Sequence, residues 1–141
     1  MSKFFLVIFL AGFCFGVNWE YQYTFKLKKD ETATVQINKE ETKIKDAGLF
    51  KFRWTLYKNE GLVILANYEG FPYQYVLYRK RGRDFIRQII DKKPPKAWLM
   101  PYMLLKFEDF DEKKEIATLG VFISDPQKGN SVSFIEPKRR K

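Results

Sequence analysis

The sequence predicts an all-β fold, a single antiparallel domain of about eight or nine strands, and three observations carry that expectation. Apolar and polar residues alternate with a period of two over several stretches. Short polar turns divide those stretches at regular spacing. Aromatic residues make up 18% of the chain, which suits a thin core built from large side chains.

The first stretch is "WEYQYTFKL", residues 19–27. Trp19, Tyr21, Tyr23, Phe25 and Leu27 share one parity, and Glu20, Gln22, Thr24 and Lys26 the other. Side chains alternate across a strand, so this reads as a strand with one wet face, and no helical face collects those residues. Lys28-Lys29-Asp30 separates it from a shorter strand with Ala33, Val35 and Ile37 in phase. "LFKFRWTLY", residues 49–57, sets Phe50, Phe52, Trp54 and Leu56 against Lys51, Arg53 and Thr55. Asn59-Glu60-Gly61 follows as a turn, with Gly61 available for a positive φ. "LVILANY", residues 62–68, is apolar on both faces at its start, which predicts a central strand.

Glu69-Gly70-Phe71-Pro72 ends that strand, and "YQYVLYR" begins another. Residues 83–91, "RDFIRQIID", fit either a short helix capped by Asp84 or a strand returning from a turn at Arg81-Gly82. The strand is favoured, because a hairpin is the simplest continuation of the strand before it. "YMLLKF", polar 109–114, "EIATLGVFI", a turn over 126–130 and "SVSFIE" complete the series. Trp19, Tyr23, Phe25, Phe52, Trp54, Leu56, Ile64, Leu77, Leu119 and Val121 are the expected core. A β-sandwich is favoured, with a small closed β-barrel as the alternative.

Ahead of this body stands a different kind of segment. Lys3 is followed by an apolar run from Phe4 to Phe15, interrupted only by Gly12. A basic start, an apolar run of this length and a small-residue exit predict a secretory signal peptide over residues 1–16. The run is shorter than the roughly 20 apolar residues of a spanning helix. Bulky Phe13 before Cys14 argues against lipid attachment, while Cys14 and Gly16 fit the small positions before a cut at Val17. Intact-mass analysis of exported protein is expected to find an unlipidated N-terminus at or near Val17. A diacylated species starting at Cys14 would contradict that. Cys14 is the only cysteine, so the mature chain would form no disulfide and would rely on its core.

The expected organisation is therefore a signal peptide over 1–16, one β domain over 17–136 and a basic tail over 137–141. The localisation that follows is export: periplasmic in a Gram-negative bacterium, otherwise secreted.

The chemistry is restricted by what the chain lacks. It has no histidine, which removes the commonest general base and metal ligand. Loss of Cys14 would leave no thiolate chemistry and no Cys/His zinc site. No Gly-x-Ser-x-Gly elbow surrounds Ser124, Ser131 or Ser133, and no phosphate-binding glycine loop is present. Asp109, Asp111 and Glu112 offer oxygens for calcium, but no glycine stands at a sharp-turn position, and a solvated hairpin tip is the simpler reading. The sequence assigns no catalytic residue, cofactor or metal, and the expectation is a protein that is not an enzyme.

Charge gives the one functional lead. Without Lys3 the mature chain would hold 25 basic against 17 acidic residues, a net charge of +8. Arg79, Lys80, Arg81, Arg83 and Arg87 fall close together, with Lys92, Lys93 and Lys96 after them and aromatics such as Tyr75, Tyr78 and Trp98 nearby. Such a patch attracts anionic polymers or membrane surfaces. For an exported protein this predicts a binding or adaptor domain of the cell envelope, engaging an anionic polymer, a membrane surface or an envelope protein rather than nucleic acid. The alternatives are a structural component joined through strand edges, or a barrel that carries an apolar ligand.

Overall fold

The computed structural model describes residues 19–38, 47–90, 100–126 and 129–139. The expected signal peptide, Cys14, Val17, Lys92, Lys93, Pro94, Pro95, Lys96 and Trp98 lie outside the described residues, as do Arg140 and Lys141.

Among the described residues there are nine strands and no helix: β1 (Tyr21–Lys28), β2 (Ala33–Ile37), β3 (Leu49–Lys58), β4 (Gly61–Tyr68), β5 (Phe71–Tyr78), β6 (Phe85–Ile89), β7 (Tyr102–Asp111), β8 (Ile116–Ser124) and β9 (Val132–Ile135). They form a four-stranded sheet in the order β1-β8-β7-β6 and a five-stranded sheet in the order β5-β4-β3-β2-β9. Every pairing is antiparallel. The sheets do not close into a barrel, and the arrangement is that of a sandwich.

The alternation explains the core. Phe25 and Leu27 of β1, with Met103, Leu105, Leu119 and Val121, are buried on the inner face of the four-stranded sheet. Phe50, Phe52, Trp54, Leu62, Ile64 and Leu77 are buried on the facing sheet. Phe25 meets Phe52 edge-on at 5.5 Å between ring centroids. Trp54 Nε1 donates to the carbonyl of Leu27, 2.8 Å away, so a buried hydrogen bond ties one sheet to the other. As its two-sided apolar sequence predicts, β4 is an interior strand, between β5 and β3.

Three expected core residues depart from the alternation. Leu56 is 49% exposed. The β3–β4 register shifts between Trp54 and Leu56, and the extra residue reverses which side chains face inward. Tyr57 takes the inward place and stacks on Phe110 at 3.9 Å. Phe110 is brought there by a second shift, between Phe107 and Asp109 on β7. Trp19 precedes β1, and a bend at Glu20 breaks its phase. Its ring packs on Tyr102 and Phe122, which lie on the outer face of the four-stranded sheet. Tyr23 is 36% exposed, with Phe134 of β9 stacked on it at 5.1 Å and Phe25 meeting it edge-on at 4.7 Å.

The joints also differ in detail. Positive φ falls on Asn59 and Glu60 rather than on Gly61. Gly61 is needed for a close approach instead, since a Cβ there would lie 2.9 Å from the Tyr78 ring. Glu69 and Gly70 form the β4–β5 turn, and Pro72 lies within β5. Residues 85–89 are a strand as expected, but β6 pairs with β7 and not with β5. The 79–84 connection therefore crosses from one sheet to the other.

The C-terminal segment returns along β1. Arg139 donates to Glu31 at 3.0 Å and to the Lys26 carbonyl at 2.9 Å, and Tyr23 donates to Glu136 at 2.5 Å. Burial pushes the Glu31 carboxyl up, but the hydrogen bonds from Arg139 and the Lys28 N–H outweigh it and hold the group below its ordinary value of 4.5. A lowered carboxylate pKa contributes stability above its unfolded value, which is lost as pH falls through the folded one. Arg139→Ala is thus expected to destabilise more near neutrality than in acid, where its bond to the Lys26 carbonyl is what is left to lose, as denaturant unfolding at the two pH values will show.

Candidate functional site

The β5–β6 connection carries most of the sequence-predicted basic residues. β5 ends at Tyr78, whose N–H donates to the Arg83 carbonyl at 2.9 Å. The Arg83 N–H donates to the Lys80 carbonyl at 2.8 Å, closing a four-residue turn. Gly82 stands third in that turn with φ 83°, the left-handed conformation that a type II turn requires of its third residue. These two bonds fix the corner, and they set Lys80 and Arg81 at its tip.

The five candidates do not share one environment. Lys80, Arg81 and Arg83 are exposed, and among the described residues none has a carboxylate within ion-pair distance. Arg79 is exposed too but pairs with Asp109 at 2.7 Å, which anchors the corner to β7. Because this pair is open to solvent, it contributes little to stability and serves mainly to orient the chain. Arg87 stands apart from the turn, on the outer face of β6, with its guanidinium 4.0 Å from the centroid of the Tyr102 ring. The structure thus brings Lys80, Arg81 and Arg83 together, uses Arg79 as a strut and places Arg87 on an aromatic ring.

The acidic stretch after β7 has structural tasks. Asp109 holds Arg79, and Asp111 Oδ1 accepts the N–H groups of Lys113 and Lys114, each at 3.0 Å, as the β7–β8 turn closes. Glu112 and Glu115 border a cleft of about 250 Å³ floored by Trp54, Tyr57 and Phe110. Sequence reasoning did not find this cleft, because it is a product of the two register shifts. At the opposite end of β8, Asp125 is buried and accepts the Asn130 N–H at 2.8 Å, while Glu20 accepts the Asp125 N–H at 2.5 Å. Both groups shape the loop that leads to β9.

No protein-family model matches the chain, and no curated protein or solved structure matches it either.

Proposed function

We propose that this protein is an exported binding or adaptor domain of the cell envelope that holds an anionic partner at the β5–β6 corner. The observation that carries this reading is the corner itself: three exposed cations without carboxylate partners among the described residues, on a turn fixed by two backbone hydrogen bonds. A preorganised set of like charges is electrostatically unfavourable in isolation and gains from a polyanion that neutralises several of them together. The net charge of the whole chain, +9, adds long-range attraction of the same sign. Export rests on the basic and apolar pattern of residues 1–16.

Two features favour this reading over its alternatives. Pro72 offers no N–H, and the Tyr78 N–H is already bonded to Arg83, so β5, one of four edge strands together with β1, β6 and β9, is blunted at both ends against strand addition. The interior is filled by side chains such as Phe25, Phe52 and Trp54, which leaves the apolar-carrier reading without its barrel. The experiment is a binding titration against soluble polyphosphate at increasing salt. Binding that weakens steeply toward physiological ionic strength, where the Debye length is about 8 Å, supports the reading. Absence of binding at low salt overturns it.

A further inference from the structure

We propose that the outer face of the four-stranded sheet and the β5–β6 corner form one surface that docks on an anionic lipid membrane. The inference rests on the corner as an anion-binding element and names its partner.

The register places the residues. Gln22, Phe122, Leu104 and Arg87 form one cross-strand row on the outer face, and Ser124, Tyr102 and Ile89 form the next. Lys106 and Phe85 lie in the row on the other side. Trp19 packs across Tyr102 and Phe122, with ring centroids at 5.8 and 5.6 Å. The wet face of an antiparallel sheet is ordinarily polar. Here it holds Trp, Tyr, Phe, Leu and Ile side chains, most of them half-buried. Phe85 is 42% exposed and begins two residues after Arg83, so the apolar face runs directly into the corner.

Neither half alone identifies the partner, but their combination does. A soluble polyanion would use the cations and gain nothing from the aromatics. A lipid surface uses both: Trp and Tyr settle at headgroup depth, and long basic side chains reach phosphates while their stems lie along apolar material. Arg87 and Lys106 flank the aromatic rows in the arrangement this needs. Of the carboxylates nearby, Asp84 is engaged by Lys106 at 3.8 Å and Glu20 by the Asp125 N–H, while Glu108 lies over Gly120 on the same face.

Trp19 supplies the test. In a Trp98→Phe background the remaining indoles are Trp19 and the buried Trp54. Phosphatidylcholine vesicles with and without phosphatidylglycerol, carrying brominated acyl chains, are the probe, with soluble polyphosphate as the competing ligand. The expected result is quenching of Trp19 by the phosphatidylglycerol vesicles only. Phe85→Ser should lower vesicle affinity about tenfold, the loss expected for one partly inserted ring, without changing polyphosphate affinity or the unfolding midpoint. Unquenched Trp19, with vesicle affinity insensitive to Phe85→Ser, would overturn the lipid inference and leave the corner as a general anion site. Self-association through this face would overturn it as well. Failure to bind either ligand would remove both readings.

Discussion

Replacing Trp54 by alanine is expected to lower the unfolding free energy by about 3–5 kcal/mol. The indole is 2% exposed, meets Phe110 edge-on at 5.3 Å and donates its N–H to the Leu27 carbonyl on the opposite sheet. Truncation opens a cavity and leaves a buried carbonyl without its donor. A domain of ordinary stability holds only about 5–15 kcal/mol in total, so the variant should be close to unfolding. Trp54→Phe separates the two contributions, because it keeps most of the packing and removes the hydrogen bond, at a cost of about 1–3 kcal/mol. Arg53→Ala, one residue away on the wet face, should change stability by less than about 0.5 kcal/mol. Equal sensitivity at 53 and 54 in urea unfolding would contradict the strand phase.

The double reversal Arg81→Glu and Arg83→Glu is expected to abolish association with anionic ligands at low salt. The charges act together because they share one short turn, so reversing two converts the corner from strongly cationic to net acidic beside Asp84. Folding should be almost unaffected, since exposed charges contribute little to stability and both turn bonds are backbone to backbone. Arg79→Ala provides the contrast. It removes the strut to Asp109 and should weaken binding less than the reversal does. A fully retained affinity in the double variant would mean that the corner is only a solvated turn.

The fold was legible because a strand displays its environment every second residue. Phe25, Phe52, Trp54, Ile64, Leu77, Leu119 and Val121 are buried as the alternation predicts. It failed where pairing geometry, not local sequence, decides the phase. Leu56 carries the right parity in an unbroken strand, but the shift opposite β4 turns it outward and brings Tyr57 in. Nothing within residues 49–57 signals that shift. Local sequence likewise marked residues 85–89 as a strand yet could not tell that their partner is β7, because only the register between sheets selects it. At the corner, sequence proximity grouped five basic residues. The fold distinguishes them by what each one meets: a carboxylate for Arg79, a ring for Arg87 and solvent for the other three. The aromatic rows on the outer face were hidden because Tyr102, Leu104 and Phe122 come from two strands and Trp19 from a chain bend.

Engagement of an anionic envelope partner by the β5–β6 corner is the proposal on which the function rests. It is tested most directly by affinity capture from the native cell envelope at low salt, comparing the wild-type protein with the Arg81→Glu, Arg83→Glu variant. The wild type is expected to retain anionic lipid or polymer which elutes as salt rises, and the folded variant is expected not to retain it. An identical set of captured components from both proteins would contradict it.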